Sequence, residues 1–258
     1  MLSEEREKYE EFFKTFGINI KFGIYNGFGQ NNDNLKDLLL FYSSKEKKLV
    51  TLKEYVERMK EGQDKIYYAC GQSVDKIDLL PQTENLKEKD YEILYLTDYV
   101  DEFTLQMLQK YEEKTFANIS SENVDVDSKE EKEELEKIND ENKDMFDLMK
   151  NTLNIKGVRF TKKLKNHPVC LTSEGNVSVE MEKVINAMPT DERITAEKVL
   201  EINENHPVAK KLQSLYKKDK DELEKYTKIL YAQARLIEGL PIDNPTEISN
   251  IVCELISK

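Results

Sequence analysis

Residues 38–71, LLLFYSSKEKKLVTLKEYVERMKEGQDKIYYACG, constrain the fold more than any other part of the chain. An apolar stretch ends in Phe41-Tyr42-Ser43-Ser44, and Thr51 with Glu54 then forms a Thr-x-x-Glu capping box, which predicts a helix starting at Leu52. That helix should end near Met59, Lys60 and Gly62. Gln63-Asp64-Lys65 leads into a dense apolar strand, Ile66-Tyr67-Tyr68-Ala69, stopped by Gly71. The alternation continues with a short helix after Ser73, a strand over 91–97, a helix over 102–111 and a strand over 115–119. Upstream, Tyr9, Phe12, Phe13 and Phe16 predict a helix over 3–16, and Ile18, Ile20, Phe22 and Ile24 alternate as a strand over 19–25. Residues 26–33, rich in Asn and Gly, read as a loop. Strands alternating with helices predict a small parallel sheet covered on both faces, a three-layer α/β subdomain.

Residues 121–141 change character, with ten Asp or Glu against three Lys. Leu135, Ile138, Met145, Leu148 and Leu153 then continue a helical stripe, predicting an acidic entry and a helix to about Asn154. This divides the chain into domains at 1–121 and 122–258. The second reads as α+β, with strands over 158–164 and 169–172 joined by Lys165-Asn166-His167-Pro168. A helix over 176–188, a strand over 196–202 and a helix from Pro207 to about Lys217 follow. A long helix over 221–238 closes at Gly239, and Asn244-Pro245-Thr246-Glu247 caps a last helix over 245–257.

Composition narrows the function. A net charge of −12 in 258 residues speaks against binding to phosphate backbones or to an anionic membrane surface. No apolar run approaches the roughly 18 residues that span a bilayer, and no secretory signal opens the chain. Three scattered cysteines, Cys70, Cys170 and Cys253, read as reduced thiols, which suits a cytoplasmic protein. Gly27-Phe28-Gly29 lacks the third glycine of a dinucleotide fingerprint, and the Gly-Lys-Ser/Thr of a phosphate loop does not occur. His167 and Cys170 stand three apart, but two histidines in the chain are too few for a zinc site, and both Asn-His-Pro runs fit turn chemistry. Asp98, Asp101 and Glu102 fit acceptors for the free N–H groups of a helix start. No catalytic, metal or cofactor-binding residue is expected.

Two apolar patterns remain. Val177, Met181, Val184, Ile185 and Met188 form one stripe, which by itself reads as core. Leu230, Ala234 and Ile237 belong to a long helix apolar over much of its girth, and Ile248, Ile251, Val252, Leu255 and Ile256 form one face of the last helix. A terminal helix this apolar needs a groove, in its own domain or in a partner.

The order of these elements resembles the heat-shock protein 90 family of chaperones, of bacterial type. Residues 38–44, 51–59 and 63–71 are similar to the family's "LLRFYSS", "SLxEYVxRMKExQ" and "IYYxTG", and Thr97-Asp98 with Asp101-Glu102 to its "TDxIDEx". The resemblance implies a C-terminal fragment that comprises the distal middle and dimerisation domains, with Met1 the start of the fragment. It implies no enzymatic activity in this chain, because ATP and magnesium would bind in an absent N-terminal domain. It implies client binding at Glu102, Phe103, Val177, Met181, Val184 and Ile185, where Phe103 replaces a tryptophan. It implies a homodimer through a four-helix bundle that includes Leu230, Ala234, Ile237, Ile248, Ile251, Val252 and Leu255. Partners would be a second copy and non-native proteins, with no nucleic acid and no membrane. Two alternatives stand beside this: an assembly module that binds no client, and a small α/β enzyme with a pocket near Cys70 and Thr97.

Overall fold

Tyr9, Phe13, Gly17, Lys21 and Ile24 follow one another at intervals of four, four, four and three, and they are the buried residues of a single helix, α1 (Arg6–Asn26). The computed structural model describes residues 2, 4–121, 124, 126–189, 191 and 193–257. Ser3, where the first helix was expected to begin, lies outside them, as do Glu122, Asn123 and Asp125 of the acidic stretch. The strand expected over 19–25 is therefore corrected to the second half of α1. The alternating Ile18-Ile20-Phe22-Ile24 run also places Ile20 and Ile24 one helical turn apart, and the stripe beginning at Tyr9 decides between the two periods. Gly17 is required there, because a Cβ would stand 2.7 Å from the Phe13 ring.

The chain divides into two compact units, residues 1–79 with 86–119, and residues 80–85 with 120–258. The first unit holds α1, a short α2 (Asn32–Leu35), β1 (Leu40–Ser43), β2 (Leu49–Thr51), α3 (Leu52–Glu57), β3 (Lys65–Cys70) and α4 (Val74–Asp78). After α5 (Glu84–Glu88), which spans the division, come β4 (Leu94–Leu96), α6 (Asp101–Leu108), β5 (Lys110–Tyr111) and β6 (Lys114–Asn118). Six strands form one sheet in the order β2-β1-β4-β3-β6-β5. Only β3 pairs in parallel, with β4 and β6; the other pairings are antiparallel. The expected parallel sheet is thus a mixed one. Its centre is built by helix crossovers, and its edges are hairpins whose partner strands are only two and three residues long, too short to show a pattern. Leu39, Phe41, Val50, Leu52, Ile66 and Leu94 lie at the centre of the core.

The capping box forms as the spacing predicts. The Glu54 N–H donates to Thr51 Oγ1 at 3.1 Å, and the Thr51 N–H donates to Glu54 Oε2 at 2.7 Å. Thr51→Ala is expected to cost about 1 kcal/mol, read as a lower urea midpoint at unchanged slope. An unchanged midpoint would show that the helix start is held by packing alone.

The second unit contains α7 (Lys129–Glu141), α8 (Lys143–Leu153), β7 (Gly157–Thr161), β8 (Val169–Glu174), α9 (Val179–Ala187), β9 (Glu197–Asn203), α10 (Pro207–Lys218), α11 (Lys220–Ile237) and α12 (Pro245–Ile256). The one helix expected to run to Asn154 is two, separated at Asn142, whose side chain bonds back to the Ile138 carbonyl. The strands flanking 165–168 do not pair with each other. β9 lies between them, parallel to β7 and antiparallel to β8. Met149, Phe160, Leu171, Leu200, Leu212, Leu223 and Ala234 fill the core.

The expected fold class, a three-layer subdomain followed by an α+β domain ending in a dimeric four-helix bundle, is corrected accordingly. The chain is an α/β fold on two mixed sheets. Its long helix α11 is an interior element of the second unit, packed on α8, β8 and α10, and α12 lies along α11.

Candidate functional site

In the first unit, α6 carries Glu102 and Phe103. Asp101 and Glu102 are both buried, 1% and 5% exposed. Lys21 of α1, itself 4% exposed, reaches Asp101 Oδ1 at 2.6 Å and Asp98 Oδ2 at 2.8 Å, while Asp101 Oδ2 accepts the Asp98 N–H. Burial pushes the Asp101 carboxyl up even with Lys21 beside it. Glu102 Oε1 accepts from Asn118 Nδ2 at 2.6 Å and from the Tyr68 hydroxyl at 3.2 Å. Glu102 therefore ties α6 to β3 and β6 and presents no carboxylate to solvent. Phe103 is half-buried, its ring edge-on to Tyr25 at 5.7 Å, and Phe22 meets Tyr99 the same way at 5.8 Å. Tyr25 and Tyr99 are exposed, so Phe103 belongs to an aromatic surface between the end of α1 and the start of α6. Sequence reasoning missed Phe22, Tyr25 and Tyr99 because the expected strand placed the first two on a sheet.

In the second unit, the Ser178 hydroxyl caps α9 by accepting the Met181 N–H at 3.0 Å. Met181 points inward, 7% exposed. Glu182 Oε2 holds the Ala196 N–H and Lys198, and Asn186 brackets Ile194 through both its amide atoms. These bonds fix the inner side of α9. Val177 just before the helix, and Val184 and Ile185 on it, are half-buried, and Met188 at its end is exposed.

Leu230 and Ala234 are interior residues of α11, whereas Leu236 and Ile237 at its end are 59% and 38% exposed. On α12, Ile251 is buried; Ile248, Val252 and Leu255 are half-buried and Ile256 is 80% exposed. Ion pairs from Lys225 to Glu254 and from Lys228 to Glu247 fasten α12 to α11.

Both histidines and the buried Cys170 have structural partners. His167 Nδ1 lies 2.8 Å from Glu84 Oε1, and Glu84 also accepts the Lys165 and Asn166 N–H groups. His206 accepts the Val208 N–H and caps α10. The buried Cys170 thiol faces Glu201 at 3.8 Å, and burial raises its pKa well above the ordinary value. Glu201 is clasped by Arg159 at 2.6 and 2.9 Å in a cleft of about 310 Å³, also lined by Lys163 and Asn139. Among the described residues no group of three or more His, Cys, Asp or Glu could hold a metal ion, and no helix is long and apolar enough to cross a membrane.

The fold is that of an α/β protein that keeps apolar patches exposed on a largely charged surface: Tyr25 with Tyr99 in the first unit, and Met188, Leu236, Ile237 and Ile256 in the second. The family model described as "Hsp90 protein" matches residues 1–258, and this chain belongs to the Hsp90 family of chaperones. It is 54% identical over 258 residues to "Chaperone protein HtpG" of Bacillus subtilis (strain 168), covering 99% of this chain and 41% of that protein. It is 52% identical over 255 residues to the protein of that name from Bacillus licheniformis, with 98% of this chain and 41% of the relative covered. The corresponding Clostridium perfringens protein is 51% identical over 258 residues, with 99% and 41% covered. The chain thus spans about two fifths of the length of the curated relatives it matches.

The match runs from residue 1 to residue 258 as one span. The expectation of a C-terminal fragment, joined from a distal middle and a dimerisation domain, is corrected to this family-level statement. The exclusion of enzymatic activity and the exclusion of ATP and magnesium rested on that placement alone, and both fall with it.

Proposed function

We propose that this chain supplies a chaperone with an apolar patch for non-native polypeptides in each of its two units and an apolar face for a second copy of itself, acting in the cytoplasm. The self-association reading is supported by one observation: of five aliphatic residues on α12 only Ile251 is buried, and Leu236, Ile237 and Ile256 expose an apolar face on the two last helices. Exposed apolar area of this kind marks interaction sites. A symmetric pair of copies would cover the same residues on each. Ile237, Ile248, Val252 and Leu255 remain candidates for that contact, whereas Leu230, Ala234 and Ile251 would support it from within. Sedimentation equilibrium over a wide concentration range tests this. A tight dimer is expected, and a monomer at every concentration would refute it.

Client contact is assigned to Phe103 with its aromatic neighbours in the first unit, and to Val177, Val184, Ile185 and Met188 in the second. Glu102 and Met181 contribute from behind the surface, by holding α6 and α9 in place. Met188→Glu is expected to weaken binding of an unfolded model protein severalfold at unchanged Tm, measured by suppression of aggregation. Equal suppression by the variant would remove α9 from the site. The burial of Glu102 and Met181 favours a second reading, an assembly module without client binding. Dimerisation with no suppression of aggregation would establish it.

A further inference from the structure

The end of α11 is tied down by an unusual pair. Gln82, 2% exposed in the segment 80–85, donates through Nε2 to the buried Leu171 carbonyl at 2.8 Å and to Glu238 Oε1 at 2.6 Å. Glu238 is the C-terminal cap of α11, its N–H bonded to the Ala234 carbonyl. Its carboxylate has no ion-pair partner among the described residues. From α9, the Lys183 ammonium pairs with Glu180 and donates to the Glu238 backbone carbonyl at 2.9 Å. From β8 comes the buried Cys170 thiol, kept neutral by burial. On α11 itself, Arg235 turns away to Asp243 and the Pro241 carbonyl. An anion here is desolvated, its carboxylate accepts one amide N–H and feels the Lys183 ammonium only from the backbone side, and desolvation outweighs both, so the neutral form is favoured. The buried Gln82 Oε1 has no hydrogen-bond partner in the present arrangement. It is an acceptor for which a protonated carboxyl is a fitting donor.

We propose that Glu238 and Gln82 form a proton-operated latch: with the carboxyl neutral, the last turn of α11 is held on segment 80–85, and with the carboxyl ionised that turn loosens. Desolvation pushes the carboxyl up to about 7, against the opposing pull of Gln82 and Lys183. The switch therefore falls near neutral pH. The folded-state value lies above the ordinary 4.5, so folding favours the protonated form. This contribution to stability is full at pH values below the ordinary one and is lost as the pH rises to about 7. Leu236 and Ile237 lie in the turn that loosens, so the latch would also tune the self-association face, a consequence that alone rests on the reading given above.

Hydrogen exchange read by mass spectrometry at pH 6 and pH 8, corrected for intrinsic rates, tests the latch on the full chain. Peptides covering 234–242 and 80–85 are expected to lose about tenfold in protection at pH 8, one pH unit above the titration point. In Glu238→Gln, whose amide oxygen still accepts from Gln82, protection should stay at the pH 6 level throughout. Equal protection of the wild type at both pH values, or a variant that follows the wild type, would overturn the proposal. If the variant does not fold, carbon NMR of the wild-type Glu238 carboxyl decides: titration near 7 supports the latch, and titration below 5 overturns it. Neither readout depends on dimerisation or client binding, so failure of the latch is distinguishable from failure of the proposed function.

Discussion

Lys21→Met is expected to lower the unfolding free energy by about 3–5 kcal/mol, the usual cost of stripping one partner from a buried ion pair. Lys21 is 4% exposed, and its ammonium sits 2.6 Å from an Asp101 carboxylate that is 1% exposed. It also lies over the rings of Phe13 and Phe41, at 5.4 and 5.2 Å. Methionine fills the methylene volume but leaves Asp101 as an uncompensated charge in an apolar core, forcing it to protonate or the site to open. Asp98, 42% exposed in its side chain, remains solvated and loses little. Removing both charges, as Lys21→Met with Asp101→Leu, should recover much of the loss, because an apolar pair of similar volume needs no desolvation. Urea unfolding followed by circular dichroism measures both. A single-variant cost below about 1 kcal/mol would mean that α1 is held to α6 by apolar packing and the pair contributes little.

Charge placed on the exposed apolar face of the last two helices should have a comparably large effect, on association and not on folding. Leu236→Asp with Ile256→Asp is expected to weaken self-association by about a thousandfold, ~4 kcal/mol. Each carboxylate would have to be desolvated on both copies without a partner. Leu236 and Ile256 are 59% and 80% exposed in the single chain, so the variant should keep the wild-type Tm measured at a concentration where both are monomers. Ile251 is a poorer choice, because it is 8% exposed against α11 and its replacement would disturb the fold as well. A persisting dimer in sedimentation would locate self-association elsewhere on the chain.

How much of this was legible beforehand depended on whether the signal was local. The Thr51–Glu54 box, the Ser73 cap of α4, the Asn244 cap with Pro245 and Glu247, and Pro207 at the first turn of α10 all appear where spacing put them. The three caps are bonds between residues three apart, and Pro207 fixes its own φ at a helix start, so each rests on neighbouring residues. The segment 19–25 went astray because an alternating aliphatic run fits both a strand and one face of a helix, and the deciding residues, Tyr9 and Phe13, lie a turn or more upstream. The short edge strands β2 and β5 carry too few residues to show a period.

The candidate surfaces were legible as stripes but not as sides. The sequence by itself determined that α9, α11 and α12 are amphipathic helices and that α12 starts at the Asn244 cap, since periodicity and capping are properties of neighbouring residues. Only the tertiary structure decided which apolar residues face inward. It buried Met181, Leu230 and Ala234 and left Met188, Leu236 and Ile256 in solvent. It likewise made Glu102 an anchor for Tyr68 and Asn118, and set Gln82 against Glu238 across more than 150 positions of chain. Burial and desolvation depend on what the rest of the chain brings alongside, and no local pattern encodes that.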